Sequence, residues 1–460
     1  MIKINSSKTV AASVALVLGV AACSQSNDEQ GTKVTDECTP TDSDSKTDSG
    51  SAEPSKPEET QPAETQPGET QPSETQSKDD GGTISSSENG SQAEPDAGTA
   101  ETSSADAATA QPTSDADGGT NDSDRGSDAS SDEAPELTLS NLSPDLLPPS
   151  PAGDLRIAGD CTIDTESGRF DCPDSEGTFS FEVVEPEGAS RLGVMRVKSL
   201  QVDMGGILRV SGALPLVLVA DDTLRVFGRI TASALKHEHF AGGFAPANGP
   251  GAGQEGVFWP SSGGSYCGVG GDASAPEGES PALPGGPTYG NEALIPLLGG
   301  SGGGSENGGA GGGALQLVAG VEIQIGITGV VDAGGGGGRN GGGGGGSGGA
   351  LLLEAPRVAI DGVLAANGGG GGMSSGGSGG SDANASATAA LGEGANNGGQ
   401  GSSADEPNGA AGVYVNNNEV PGGGGGAGRI RINTSDGTAE ISGTISPGQA
   451  SGCATLGTLP

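Results

Sequence analysis

Two groups of charged residues could act on a polysaccharide. Asp221 and Asp222 form an adjacent carboxylate pair, and Arg429 and Arg431 offer two guanidinium groups that could hold a substrate. Inverting hydrolysis of a glycosidic bond needs two carboxylates about 6.5–9.5 Å apart across the substrate. Neighbouring strand residues point to opposite faces, so an adjacent pair meets this need only at a bend. A solvated corner is the simpler interpretation, and we predict no catalytic residue.

The two histidines could bind a metal ion. In the segment KHEHF, an extended backbone would place His237 and His239 on one face. Two ligands alone bind a metal ion weakly, and the sequence offers no evident third. The glycine runs contain no GK[ST] segment and are therefore not phosphate-binding P-loops. We predict no metal site and no cofactor.

The cysteines favour disulfide bonds in an exported protein. The segment CTIDTESGRFDC is typical of a hairpin with Gly168 at its turn, which predicts a disulfide between Cys161 and Cys172. Cys267 and Cys453 are a candidate second pair, which would tie a glycine-rich insertion to the C-terminal segment. Cys38 has no obvious partner in the sequence.

An aliphatic phrase with a central glycine recurs and indicates the fold that must carry these residues. Four copies have their central glycine at the following positions: Gly228, Gly329, Gly362 and Gly443. A weaker fifth copy centres on Gly212. Each phrase alternates at period two, as a strand does, and follows a second short strand such as ALQLVA or ALLLEA. One such unit cannot bury its inner face alone, so the repetition predicts stacked parallel coils, a β-solenoid with these glycines in register.

Three glycine-rich insertions separate the coils, at about residues 234–313, 334–349 and 367–427. Each starts and ends beside a strand, so we expect all three to leave and re-enter one edge of the solenoid. Glycine-rich chain is flexible by default. Alternatively, glycine runs could lie side by side as extended left-handed strands, since no side chain intervenes. Apolar segments at 292–300 and 412–417 could also pack back onto the solenoid. The sequence leaves these alternatives open.

The charge argues against nucleic acid as a partner. The formal net charge is −40, and no basic patch is present to bind phosphates. Residues 24–134 contain 27 acidic and 5 basic side chains, a net charge of −22. This segment contains no aromatic residue and includes the repeat ETQPAETQPGETQPSETQ. Such a composition predicts a disordered, extended tether.

The N-terminus is typical of an export signal. Lys3 and Lys8 precede a short apolar run that ends in Val20-Ala21-Ala22-Cys23. The run is shorter than the roughly 20 apolar residues that a spanning helix needs. The four final residues resemble the lipobox of bacterial lipoproteins, which implies cleavage before Cys23, acylation of Cys23 with fatty acids such as palmitate, and a membrane anchor. Serine rather than aspartate at position 24 resembles the lipoproteins that are exported to the outer membrane.

The repeated phrases are similar to those of filamentous-haemagglutinin-type adhesins, a resemblance that implies a right-handed parallel β-helix. The strings GGGGGSGGALLLEAP from Gly342 and GGGGGAGRIRIN from Gly422 also resemble glycine-rich bacterial lipoproteins of unknown function, often labelled PE-PGRS-like. That likeness implies a fold and no activity. Pectin-degrading enzymes use the same fold, but the Gly-His-Gly and Asn-x-Asp segments of their catalytic signature do not occur in this sequence.

Together these observations predict four regions: a signal peptide at 1–22, a disordered acidic tether at 23–134, an N-terminal hairpin and cap region at 135–190, and a glycine-rich β-solenoid at 191–460. The fold class is all-β, a short right-handed parallel β-helix with long glycine-rich loops. We expect a lipid-anchored protein of the cell outer membrane with a structural or adhesive role and a polysaccharide or surface protein as partner. The alternative is a polysaccharide hydrolase or lyase on the same fold. A self-associating matrix protein is a third hypothesis.

Overall fold

The computed structural model describes residues 2–3, 137–256, 260–274, 282–374, 379–414 and 419–460. The predictions about Cys23, Cys38 and the tether lie outside these residues. Within the described ranges, the structure contains no helix with the length and apolarity that crossing a membrane requires.

Short strands are the main regular secondary structure of the described chain. Up to the first insertion they are β1 (Ile2–Lys3), β2 (Leu155–Ile157), β3 (Asp160–Asp164), β4 (Phe170–Asp171), β5 (Ser175–Val184), β6 (Leu192–Val197), β7 (Leu200–Val202), β8 (Ile207–Ser211), β9 (Leu216–Ala220), β10 (Thr223–Val226) and β11 (Arg229–Thr231). Beyond it they are β12 (Ala314–Ala319), β13 (Glu322–Ile325), β14 (Val330–Asp332), β15 (Ala350–Glu354), β16 (Arg357–Ile360), β17 (Val363–Ala365), β18 (Arg429–Thr434), β19 (Glu440–Ile441), β20 (Thr444–Ser446) and β21 (Ala454–Thr458). The helical elements are one-turn pieces: 3₁₀ turns at Pro144–Leu146 and Gln449–Ser451, and α1 (Glu393–Asn396).

The strands form two long sheets in which parallel pairing dominates, as the sequence predicts. One sheet has the order β19-β16-β13-β10-β7-β2-β5-β6-β9-β12-β15-β18-β21, with β1 also paired to β5, and the other has the order β20-β17-β14-β11-β8-β3-β4. Because β5 joins two parallel stacks in the longer sheet, the molecule has three stacks. We call them face 1 (β6, β9, β12, β15, β18, β21), face 2 (β2, β7, β10, β13, β16, β19) and face 3 (β3, β8, β11, β14, β17, β20). The chain visits faces 1, 2 and 3 in the same order on each level.

The three faces share one apolar core. Alternate strand residues are buried, as in β13, where Ile323 and Ile325 have no exposed surface while Glu322 and Gln324 are partly exposed. The same cluster contains Leu317 of face 1, Ile323 of face 2 and Val331 of face 3. A single strand of this kind buries too little surface to be stable alone, so stacking supplies the stability of each level.

The corner glycines between faces 2 and 3 lie in register, which confirms the prediction from the repeated phrase. The strand pairs that follow them align Arg229 with Val330, Val330 with Val363, and Val363 with Thr444. Each glycine therefore sits directly on the one below. A Cβ on Gly362 would lie 2.2 Å from the carbonyl oxygen of Gly329, so this column has no room for a side chain.

The prediction of a fifth copy of the phrase at Gly212 was wrong. Gly212 lies after β8, at the corner that leads from face 3 to face 1, with a φ of 90°. The residue that continues the glycine column is Gly206, because Ile207 pairs with Arg229. The segment VSGAL matches the phrase by chance, because its glycine is required by the turn between faces 3 and 1.

The N-terminal part of the described chain both caps and begins the stacks. The predicted hairpin is present: β3 and β4 pair antiparallel, and Gly168 has a φ of 68° in the turn. The antiparallel strand β5 covers the end of the stacks by pairing with β2 and β6. However, β2 and β3 already pair parallel with β7 and β8, so the first level starts before residue 191.

The glycine-rich insertions all leave from face 3 and return to face 1, as expected. They connect β11 to β12, β14 to β15, and β17 to β18. Residues 342–349 of the second insertion are completely buried although they belong to no strand. Their neighbours are segments of the first and third insertions and the first part of the second insertion. We call this assembly the glycine bundle.

Backbone hydrogen bonds of residues 341–349 repeat every third residue. The N–H groups of Gly345 and Gly348 donate to the carbonyls of Gly423 and Gly426, which are also three residues apart. Hydrogen bonds to the other neighbouring segments have the same spacing. Gly346 and Gly349 donate to Gly336 and Ala333, and Gly344 and Ser347 accept from Gly309 and Gly312. Gly342 and Gly345 accept from Ser261 and Gly264, and Gly343 and Gly346 accept from Gly372 and Gly369. Ser347 also donates to Ser301. A three-residue period without internal hydrogen bonds is that of a polyproline II helix, which describes residues 343–349. Gly341 and Gly342 have φ values of 101° and 74° and belong to the preceding turn.

Of the alternatives left open by the sequence, the structure therefore has the ordered one. Six backbone segments surround residues 341–349, and the absence of side chains allows their close approach. A Cβ on Gly344 would lie 1.9 Å from the carbonyl oxygen of Ser262, and a Cβ on Gly349 would lie 1.8 Å from that of Gly313. The apolar segment near residue 295 also packs back, with Leu294 and Leu297 buried against face 1.

Gly344→Ala should disrupt the glycine bundle, because the added methyl group has only backbone atoms to displace. We expect a cost of about 2–3 kcal/mol from overpacking. The matched control is Gly153→Ala, whose methyl group would lie 3.4 Å from Thr178 Oγ1 and should change stability by less than about 0.5 kcal/mol. Hydrogen exchange of the amides of residues 342–349 measures the effect. Equal amide protection in both variants would contradict the close packing.

Candidate functional site

The structure does not bring the predicted polysaccharide-handling residues together. Asp221 follows β9 on face 1 and accepts a hydrogen bond from Arg196 Nε at 2.7 Å, while Asp222 is exposed. Arg429 and Arg431 lie on β18, three strand spacings away, or roughly 14 Å. Each has another partner, because Arg431 donates to Asn433 at 2.7 Å and Arg429 donates to the carbonyl of Tyr289 at 3.2 Å.

The histidines lie in a tight turn. Leu235 and Glu238 exchange two backbone hydrogen bonds, and Lys236 has a φ of 52°, so the segment is not extended as the two-ligand hypothesis requires. His237 and His239 are both exposed. Among the described residues, no group of three or more His, Cys, Asp or Glu side chains is placed to hold a metal ion.

Both cysteine pairs named from the sequence are bonded in the structure. Cys161 is linked to Cys172 across the β3–β4 hairpin, and Cys267 is linked to Cys453 with a Cα–Cα distance of 5.8 Å. The second bond joins the first insertion to the residue before β21. It therefore fixes the glycine bundle to the last strand of face 1.

A buried aromatic cluster lies beside the second disulfide, and sequence reasoning did not find it. The rings of Tyr266 and Tyr289 stack with their centroids 4.5 Å apart, and the guanidinium of Arg429 lies 5.7 Å from the Tyr266 centroid. Tyr289 donates from its hydroxyl to Gly299 at 2.5 Å and accepts from Ser301 at 3.0 Å. Burial raises the pKa of both tyrosines, so both remain neutral phenols. This cluster connects the bundle to face 1.

Face 1 is covered by the N-terminal segment of the described chain. Glu354 is fully buried there and accepts hydrogen bonds from Gln316 at 2.6 Å, Asn433 at 3.0 Å and the Ser140 backbone at 3.2 Å, with a further bond from the Ser140 hydroxyl. Leu139 and Leu142 pack beside it. Because its oxygens are occupied by fixed donors, this carboxylate holds the cover in place and is closed to a ligand.

Face 3 carries a cavity of about 300 Å³, and we call it the face-3 cavity. Its lining residues are Thr162, Arg209, Val210, Ser211, Arg229, Thr231, Ser233, Leu235 and Phe240. The floor consists of residues of β3, β8 and β11. The overhanging wall is the start of the first insertion.

The two arginines of the face-3 cavity are held by aspartates. Arg229 donates from Nε at 2.6 Å and from Nη2 at 2.8 Å to the buried carboxylate of Asp332, which raises the pKa of Arg229 through these hydrogen bonds. Thr231 and Ser233 also donate to Asp332. Arg209 binds Asp160 through Nε at 3.1 Å and Nη2 at 3.4 Å.

The wall is fixed to the third insertion and to the corner after β8. The N–H of Lys236 donates to Asp382 at 2.9 Å, and the N–H of Ala241 donates to Gly212 at 2.8 Å. Leu235 remains 50% exposed and Phe240 partly exposed. The cavity thus combines the apolar side chains of Leu235 and Phe240 with hydroxyl and guanidinium groups. Alignment of the phrases could have found part of it, because stacking places Thr231 directly beside Asp332.

A second cavity of about 240 Å³ lies on face 2 and contains carboxylates. Glu322 forms an ion pair with Arg357 at 3.2 Å. Asp436 accepts hydrogen bonds from the hydroxyl and backbone of Thr438, which lower its pKa. A carboxyl group with a lowered pKa stays ionised at neutral pH and is poorly suited to act as a general acid.

Comparisons with known proteins found no matching family, curated protein or solved structure.

Tyr266→Phe and Tyr289→Phe should differ in their effect on stability. The Tyr266 hydroxyl is buried without a hydrogen-bond partner, so its removal should leave the free energy of unfolding unchanged or raise it by up to about 1 kcal/mol. Tyr289→Phe loses two hydrogen bonds and should cost about 1–2 kcal/mol. Guanidinium unfolding of both variants checks this difference. A larger loss for Tyr266→Phe would show that its hydroxyl has a partner in solution.

The two disulfides should contribute unequally. They span 11 and 186 residues, so chain entropy predicts a loss of about 3 kcal/mol for Cys161→Ala/Cys172→Ala and about 5 kcal/mol for Cys267→Ala/Cys453→Ala. Guanidinium unfolding of the two double variants compares them. Equal midpoints would contradict this dependence on loop length.

Proposed function

We propose that this chain is an outer-membrane lipoprotein that displays a rigid, non-catalytic body at the cell surface in an adhesive or structural role. The observation that carries the proposal is the glycine bundle. Its interior consists mainly of glycine backbone with a few buried serines such as Ser301 and Ser347, so this part of the folded body is ordered with few large side chains. Such a body is suited to present surfaces to a partner.

We further propose that the three faces close into a right-handed parallel β-helix. Apolar residues from all three faces form one cluster, and the chain repeats the order face 1, face 2, face 3. Right-handed connections between parallel strands are strongly preferred because of the strand twist. This handedness agrees with the resemblance to filamentous-haemagglutinin-type adhesins.

The lipid anchor rests on the lipobox resemblance at Cys23. Cleavage before Cys23 would remove β1, whose residues Ile2 and Lys3 pair with Phe179 and Thr178. The parallel stacks would keep their order, because β1 lies off the main strand path of the longer sheet. The acidic residues 24–134 would then serve as a tether between the acylated cysteine and the folded body.

Three of the described carboxyl groups are unsuited to act as the general acid of polysaccharide hydrolysis. The carboxyl groups whose pKa values are shifted, those of Asp164, Asp203 and Asp436, all have lowered values because of hydrogen bonds. Polysaccharide hydrolysis needs one carboxyl group that is protonated near neutral pH. These three groups do not provide it.

Cys23→Ser should release the protein from the membrane, because two or three acyl chains provide the anchor. In a Gram-negative host, we expect the parent chain in outer membranes with acylated Cys23, and digestion of the folded body when protease is added to intact cells. Cys38→Ser is the matched control and should remain anchored. A parent chain that is soluble, or that is protected from protease until the cells are broken, would overturn the surface assignment. Turnover of a glycan that Asp222→Asn abolishes would support the enzyme alternative.

A further inference from the structure

We infer that the face-3 cavity binds an uncharged saccharide unit. This inference deepens the proposed adhesive role and rests on it for its biological meaning. The cavity is formed by separate parts of the chain, because β3, β8 and β11 supply the floor and the first insertion supplies the wall. The stability of the stacks does not by itself explain why these residues meet around a cavity.

The floor offers fixed hydrogen-bond donors. Arg229 uses Nε and Nη2 on Asp332, and Arg209 uses Nε and Nη2 on Asp160. This arrangement leaves Nη1 of each guanidinium available to a ligand. The buried Asp332 holds the plane of Arg229 in position, so a ligand hydroxyl meets a donor there that need not be ordered on binding. The pair of Arg209 and Asp160 is more exposed.

The floor also offers acceptors. The hydroxyl of Thr231 gives its hydrogen to Asp332 at 2.9 Å, and that of Ser211 gives its hydrogen to the carbonyl of Ile163 at 3.0 Å. The Thr231 oxygen already accepts from the N–H of Ser233 at 3.3 Å, so one of its two lone pairs remains. This lone pair and those of the Ser211 hydroxyl can accept hydrogen bonds. A sugar hydroxyl both donates and accepts, so it matches a floor in which Arg donors alternate with hydroxyl acceptors.

The wall supplies apolar contact. Phe240 and Leu235 line the cavity, and Leu235 keeps half of its surface exposed. A sugar ring has hydroxyls at its edge and C–H groups on its faces, so it can pack a face against this wall while its edge contacts the floor. A volume of about 300 Å³ is at the lower end for ligand pockets and suits a short stretch of sugar rings.

The charge balance selects an uncharged ligand. Each arginine in the cavity is neutralised by an aspartate, so the site has donors without a net positive charge. Residues 135–460 contain 33 acidic and 13 basic side chains, a net charge of −20, which repels a polyanion as it approaches. Uronic-acid polymers are therefore disfavoured relative to neutral glycans.

The test measures binding by the purified full chain in detergent. An array of neutral oligosaccharides from glucans, xylans, mannans and galactans is screened beside tetragalacturonate. The ligand that binds is then titrated by calorimetry. We expect a neutral oligosaccharide to bind more tightly than tetragalacturonate. Tighter binding of tetragalacturonate, or no binding on the whole array, would overturn the inference.

Two variants locate the site without disturbing buried groups. Arg209→Gln removes an exposed donor and Leu235→Ser removes the exposed apolar contact, and each should weaken binding by about tenfold. The matched control is Arg225→Gln on face 2, which lies outside the cavity and should leave the affinity unchanged. Neutral-glycan binding that is insensitive to both cavity variants would place the site elsewhere and overturn the inference.

The proposed function and the saccharide-binding inference can be contradicted by different results. Protection of the chain from protease in intact cells would overturn the surface role, while the affinity and its dependence on Arg209 would still be measured with purified protein. Release of reducing ends or unsaturated products from the bound glycan would overturn the non-catalytic role, and the cavity variants would still report whether the sugar binds there.

Discussion

The close approach of backbones in the glycine bundle is the constraint on which the rest of the structure depends. A backbone segment can hydrogen-bond to neighbours in several directions at once only if no Cβ separates them. Residues 341–349 meet this condition, and a Cβ at Gly344 would lie 1.9 Å from the Ser262 carbonyl oxygen. In globular proteins apolar side chains usually hold the interior together. In the bundle, backbone hydrogen bonds take this role, while the three faces keep an apolar core. Both parts contribute to an ordered body in a chain with 2% aromatic residues.

The parallel stacks and the bundle support each other. The stacks place the three departures from face 3 one above another, so the glycine segments start in register before they make any contact. In return, the bundle returns the chain to face 1 at β12, β15 and β18. The Cys267–Cys453 bond and the tyrosine pair Tyr266 and Tyr289 fix the junction between the two parts. Loss of order in either part would therefore remove the alignment that the other part needs.

The face-3 cavity follows from this arrangement. Arg229 and Asp332 are 103 residues apart in the chain, and they meet because their strands are adjacent in face 3. The wall residue Phe240 belongs to an insertion that is held by contacts with other insertions. A site of this kind is rigid because both of its sides are built on fixed elements, which lowers the entropy cost of binding. We regard the cavity as the place where a display role and a specific ligand can be combined.

The sequence by itself determined the parallel β architecture, the corner-glycine column and the hairpin around Gly168, because side-chain periodicity and turn chemistry are local signals. It also paired the same cysteines that the structure joins. Tertiary structure alone decided that the glycine insertions are ordered, since glycine has no side chain whose pattern could reveal its neighbours. It likewise decided that Gly206 rather than Gly212 continues the column, and that Asp221 and Arg431 lie apart. The cavity between Arg209, Arg229 and Phe240 depends on distant segments being stacked, and stacking register is a property of the folded chain as a whole.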